Sequence, residues 1–201
     1  LRKLDELIRN EHDDERRTEL VRERLATELE IESEQIEETI LSVLNQKYKN
    51  LEYIIIDGGS TDGTTDVIRK YEGNIAYWKS EPDKGIFDAM NKGIAVATGE
   101  WINFMNCGDR FLPDVLHKVF DNDYKGVDVI SGDAILQYHG FDLLYPKLPL
   151  SQMWKAMPFC HQSTFVRTQV MRVYKFDLQY RLSADYDFLY KVYRASKVFR
   201  H

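Results

Sequence analysis

Residues 57–64, DGGSTDGT, combine two carboxylates, three hydroxyls and three glycines directly after the apolar run YIII. A carboxylate at the end of a strand can accept hydrogen bonds from a nucleobase N–H or a sugar hydroxyl. That chemistry is assigned to Asp57. Glycines let a backbone approach a ligand and take positive φ. Hydroxyls and amides at a helix start can meet phosphate or ribose oxygens. Two more polar clusters follow, SEPDKG at 80–85 and NCGD at 106–109. None is a Walker loop, because the Gly-Lys-Ser/Thr ending is absent, and none has the Gly-x-Gly-x-x-Gly dinucleotide spacing. The same residue types also make good turns and caps. Asp62 and Thr64 are read that way.

These clusters need rigid elements to aim them. A helix capped by Ser33 turns Ile36, Ile40, Val43 and Leu44 inward. Residues 51–56 read as a buried parallel strand, β-branched on both faces. Helices are expected over 64–71, 86–98, from Pro113 to about 123, and 185–195; strands over 75–78, 101–105 and 127–131. Residues 133–160 are less regular. This alternation predicts an α/β fold: a Rossmann-like, mostly parallel sheet with helices on both faces. In such sheets ligands bind at the carboxyl ends of the strands. All three polar clusters fall there. Trp78, Trp101 and Trp154 are assigned to the core, with Trp154 also able to stack on a sugar.

The chain has 201 residues, enough for one domain with a sizeable core. Its net charge of -6 argues against a nucleic-acid partner. Cys107 and Cys160 form no metal-finger spacing and no disulfide framework, which fits a reducing compartment. With no leader and no apolar run long enough to span a bilayer, the expected location is cytoplasmic. All 25 aromatic residues lie from Tyr48 onward. Residues 1–32, dense in Glu, Arg and Asp, therefore read as a charged helical extension that binds a partner or is foreign to the fold, and 33–201 as the functional domain.

The run SVLNQKYKNLEYIIIDGGSTDGTTDVIRKY, then SEPDKGIFDAMNKGIAVATGEWINFMNCGDRF, then HQSTF and SADYDFLYKV resembles family 2 glycosyltransferases with the A-type fold. The likeness is greatest to bacterial members that build cell-surface polysaccharides, and it covers residues 33–201. It implies that Asp57, with Gly58 and Ser60, binds the nucleobase, usually uracil. It places Asp83, Lys84 and Gly85 under the nucleotide sugar, with Asp88 and Asn91 reaching the donor or supporting the loop. Asn106 and Asp109 stand where the family carries its metal motif, so Asp109 would bind Mg²⁺ or Mn²⁺ with Asn106 as a neutral neighbour. Asp185 matches the catalytic base. His161 and Gln162 face the acceptor or the phosphates, or simply pack. The family also implies a strand just before residue 34, and only 28–32 can supply one.

The resemblance thus implies an inverting transferase. It would move a sugar from a nucleotide sugar, UDP-linked, to a saccharide or lipid-linked acceptor. Peripheral work at the inner face of the plasma membrane fits that acceptor, and homo-oligomerisation stays open. Two rivals remain: a nucleotidyltransferase on a similar sheet, and a non-catalytic nucleotide-sugar-binding module.

Overall fold

The computed structural model describes residues 2–10, 14–138, 140–145 and 148–201; for 2–4, 10, 14–15, 17 and 25–33 it describes the backbone alone. Helix α1 (Arg2–Asn10) packs on the long helix α2 (Asp14–Leu44), with Arg24 and Asp5 paired at 2.6 Å. Residues 28–32, expected as a strand, belong to α2, and Ser33, expected as its cap, lies inside it. The physical reason is composition. From 14 to 44 there is no Gly or Pro, and the span is rich in Glu, Leu and Arg, all strong helix formers.

Strand β1 (Ile54–Asp57) pairs in parallel with β2 (Tyr77–Ser80), joined by α3 (Thr64–Lys70). Helix α4 (Ile86–Val96) leads to β3 (Trp101–Ile102), α5 (Val115–Phe120) and β4 (Val129–Ser131). A hairpin of β5 (Ile135–Tyr138) and β6 (Phe141–Leu144) follows, then β7 (Thr164–Arg167), α6 (Thr168–Tyr174), α7 (Ala184–Arg194) and β8 (Phe199–Arg200). The second sheet has the order β3-β7-β4-β8. In it β7 runs antiparallel to β3 and β4, while β4 and β8 are parallel. Of these four strands, β7 alone opposes the common direction. The fold is α/β, with sheets flanked by helices.

Three apolar clusters fix the arrangement. Ile36, Ile40, Val67 and Ile68 seat α2 and α3 together beside the first sheet. Met90, Ile94, Val129, Val166, Phe188 and Val192 join α4 and α7 to the second sheet. Leu116, Ile130 and Phe165 close the far side, with Trp101 packed against them. Trp154, assigned to the core from sequence, is instead 67% exposed.

A second stripe of α2 is polar and supports the 106–116 segment. Thr39 Oγ1 accepts the Gly108 N–H at 3.0 Å, Ser42 Oγ accepts that of Phe111 at 3.2 Å, and Glu38 pairs with Arg110 at 2.9 Å. The buried Gln46 amide donates to Leu112 O and accepts from Leu116 N. Steps of three and four keep Glu38, Thr39 and Ser42 on one face of α2, and Gln46 continues the stripe in the turn just beyond it.

Among the described residues the two sheets share no strand pairing, so β1 and β3 each keep one edge without a ladder partner. A cavity of about 1380 Å³ lies between them. It is lined by every residue from 50 to 58 and from 99 to 107, with α2 and α4 supplying Ile36, Val43, Met90 and Gly93. This exceeds the roughly 300–1,000 Å³ of a small-molecule site. The two strands begin at a common end, where Glu52 accepts hydrogen bonds from the backbone of Thr98 and Gly99.

Candidate functional site

Asp57 ends β1 and is buried. Its Oδ2 accepts the backbone N–H of Gly59 at 3.1 Å and of Ser60 at 3.0 Å, and the Ser80 hydroxyl at 2.5 Å. Oδ1 accepts the Ser60 hydroxyl at 2.5 Å. Burial raises its pKa, but the hydrogen bonds from Ser60, Ser80 and Gly59 outweigh burial and hold the carboxyl below its ordinary range. Asp57 therefore stays ionised. Oδ1, with one donor, keeps a lone pair open. Asp62 Oδ1 accepts the Thr64 N–H at 2.9 Å, the cap chemistry expected of that pair.

The SEPDKG loop lies against this turn. Asp83 Oδ1 accepts the Gly85 N–H at 2.7 Å, and Gly85 sits at φ 111°. A methyl group on Gly58 would come within 2.8 Å of Asp83 Oδ2. A side chain at position 58 would thus have to displace the Asp83 carboxylate. Lys84 is exposed at the loop tip.

Of the two roles expected for Asp88 and Asn91, the structure shows the loop-supporting one. Asp88 Oδ2 accepts the Lys84 N–H at 3.1 Å, so it shapes the loop start. Asn91 gives both ends of its amide to Phe176, donating to its carbonyl at 2.8 Å and accepting its N–H at 3.0 Å. That bidentate bond ties α4 to the segment after α6.

The NCGD turn follows β3. Asp109 Oδ2 accepts the Asn106 N–H at 3.0 Å, and Asp109 N donates to Asn106 O at 3.0 Å. Residues 103–105, expected to extend the strand, are unpaired. There Asn103 donates to the carbonyls of Gln162 and Thr164. The 3₁₀ turn His161–Ser163 is thereby docked beside the NCGD turn. Asn106 Nδ2 lies 3.5 Å from His161 Nε2, and His161 Nδ1 lies 3.2 Å from Asp185 Oδ2. Gln162, expected to face acceptor or phosphate, accepts the Cys160 thiol on its side chain at 2.7 Å.

Asp185 sits in the first turn of α7, and its Oδ1 accepts the Tyr186 N–H at 2.9 Å. Burial raises its pKa, yet the His161 and Tyr186 hydrogen bonds hold it below the ordinary carboxylate range. Asp187, also in the first turn of α7, pairs with Lys191 at 2.7 Å. Cys160 and Tyr145 are both pushed up, first by burial and also by the negative charge of Asp185. Asp109 adds to the effect on Cys160, so Asp109 and Asp185 act on the same neighbourhood.

The structure brings Asp57, Gly58, Ser60 and Asn106 to one cavity wall, and links Asn106 through His161 to Asp185. Asp109 offers one carboxylate, and among the described residues no group of three His, Cys, Asp or Glu can hold a metal ion. That donor set fits Mg²⁺ or Mn²⁺ only when a substrate diphosphate completes the shell. The sequence reading missed the His161–Asp185 pair and the polar stripe of α2. Spacing carries no signal for the first, and the helical intervals of Glu38, Thr39 and Ser42 mark the second only as a stripe without naming what it touches.

The profile of Glycosyl transferase family 2 matches residues 30–182. An uncharacterized glycosyltransferase of Mycobacterium tuberculosis is 34% identical over 164 residues, covering 77% of this chain and 62% of the relative. A PGL/p-HBAD biosynthesis glycosyltransferase of Mycobacterium bovis is 30% identical over 154 residues, covering 73% and 60%. The crystal structure of S. aureus TarS 1-349 superposes with a TM-score of 0.63 at 19% identity, covering 81% of this chain and 52% of that one. The chain thus spans less than two thirds of the length of these relatives. No helix among the described residues is long and apolar enough to cross a membrane. The chain belongs to glycosyl transferase family 2.

Proposed function

We propose that this family 2 glycosyltransferase moves a sugar from a nucleoside diphosphate donor, a UDP-sugar, to a hydroxyl of a saccharide or lipid-linked acceptor, inverting the anomeric carbon. The observation that carries this reading is the run of contacts from Asp109 through Asn106 and His161 to Asp185, beside the Asp57 turn. In this reading an ionised donor-side carboxylate, a cation-suited carboxylate and a second ionised carboxylate serve one reaction.

Asp57 Oδ1 receives the base N–H. Lys84, exposed on its loop, meets the diphosphate as a point charge. Asp109 holds Mg²⁺ or Mn²⁺ jointly with the diphosphate; when bound, that ion neutralises charge on the leaving group. The acceptor oxygen bonds to the anomeric carbon while its proton passes to the Asp185 carboxylate. The carbon–oxygen bond to the diphosphate breaks, and its electron pair leaves with the nucleoside diphosphate. Names of relatives in PGL/p-HBAD biosynthesis support a role in cell-surface glycan synthesis. A lipid-linked acceptor would put the work at the inner face of the plasma membrane, with peripheral attachment.

A second reading, a non-catalytic nucleotide-sugar-binding module, is favoured by the unjoined edges of β1 and β3. A panel of nucleotide sugars with Mn²⁺ separates the two. Release of nucleoside diphosphate is the expected result. Tight nucleotide binding without turnover would favour the module, and release of pyrophosphate would indicate a nucleotidyltransferase.

A further inference from the structure

We infer that His161 is a positioning residue that holds Asp185 as the proton acceptor and locks it to the NCGD turn. The inference rests on the transfer reading above and goes beyond it by naming what aims the base. A side-chain amide nitrogen only donates, so Asn106 Nδ2, 3.5 Å away, requires His161 Nε2 to accept. The ring proton then sits on Nδ1, which faces Asp185 Oδ2 at 3.2 Å. A neutral ring in this tautomer donates to the carboxylate without neutralising it.

The turn that carries the ring is fixed by contacts to its neighbours. Asn103 binds the carbonyls of Gln162 and Thr164, and the Ser163 hydroxyl binds Gly132 O at 2.8 Å. Asp185 needs this anchor because it stands at a helix start. One oxygen already accepts the Tyr186 N–H. Without His161, the second oxygen loses its side-chain partner and is free to turn toward the positive end of the helix. His161 keeps it facing the cleft, in register with the turn that carries Asp109.

Two tests decide this. Asn at position 161 places its amide nitrogen near the position of Nδ1, whereas Gln reaches that of Nε2. His161→Asn should keep most of the wild-type kcat. His161→Gln and His161→Ala should lose about tenfold or more, the scale of one hydrogen bond to a charged group. The donor KM should be unchanged in all three. Equal loss in H161N and H161A, retention in H161Q alone, or a change confined to donor KM would overturn the proposal. The second test uses the wild-type protein, so neither folding of a variant nor turnover enters it. Nitrogen-15 NMR of the imidazole should show a neutral ring protonated at Nδ1; protonation at Nε2 would overturn it. If the wild type releases no nucleoside diphosphate, the transfer reading falls, and the NMR result alone decides the His161–Asp185 pair.

Discussion

The donor side and the base side of the cleft are built in opposite ways. Around Asp57 the partners are mostly neighbours in the chain: Gly59 and Ser60 lie two and three residues on, Asp62 binds Thr64, and Asp83 binds Gly85. Around Asp185 they come from afar. Asn106 and His161 are 55 residues apart, and Thr39 reaches Gly108 across 69. A turn closed by local hydrogen bonds carries its shape in its own sequence. A cluster assembled from α2, the NCGD turn, the His161–Ser163 turn and α7 exists only once the whole fold is in place. The donor side should therefore tolerate damage elsewhere, and the base side should not.

The largest expected effect falls on the assembled side. Asp185→Asn removes the proton acceptor while keeping size, and should lower kcat by about 100- to 10,000-fold with donor KM little changed. Steady-state kinetics with saturating acceptor would check this. Asp57→Asn removes charge from the local turn and should act mainly on donor affinity. Losing a charge-assisted hydrogen bond costs about 1.5–3 kcal/mol, or roughly 10- to 100-fold in nucleotide Kd by calorimetry.

Acidification should set both variants apart from the wild type. Asp57 and Asp185 both have folded-state pKa values below the ordinary carboxylate value. The unfolded chain therefore binds these protons first as pH falls. Each carboxylate contributes stability that is fully present above the ordinary carboxylate range and is lost as pH drops through its depressed folded value. Thermal melting from pH 7 downward should show a shallower acid limb in either Asn variant than in the wild type.

Gly58→Ala comes next. A Cβ 2.8 Å from Asp83 Oδ2 displaces the carboxylate that holds the Gly85 N–H, so donor KM should rise with melting temperature nearly unchanged. A wild-type KM would show that the loop yields freely. The smallest effect is Thr39→Val, which removes the acceptor for Gly108 N–H at 3.0 Å. One such bond contributes about 0.5–1.5 kcal/mol. Its signature should be weaker activation by Mn²⁺, because the supported turn carries Asp109.

The same contrast explains what could be read from the chain before folding. Strand β1, helices α3, α4 and α7, and the Asp62–Thr64 cap were legible within a few residues, because period and turn chemistry are local. The expected 86–98 helix is Ile86–Val96, and 185–195 is Ala184–Arg194. The polar face of α2 was not legible, since helical spacing marks a stripe without naming what it touches. The β5–β6 hairpin also escaped notice: all four residues of β6, FDLL, are exposed, so no burial alternation marks the strand. The strand expected over 28–32 failed because uninterrupted helix formers prevail there, leaving β1 and β3 flanking a cavity. The motif order singled out Asp57, Asp109 and Asp185, but only the folded chain shows Asn106 and His161 bridging Asp109 to Asp185.

The most direct test is a crystal structure with UDP and Mn²⁺ bound. The uracil should lie against Asp57, the diphosphate should reach Asp109 beside Lys84, and the Asp185 carboxylate should face the sugar end with His161 behind it. A nucleotide bound away from Asp57, or an Asp185 carboxylate turned onto its own helix with His161 still in place, would contradict the convergence of the two sides on one reaction.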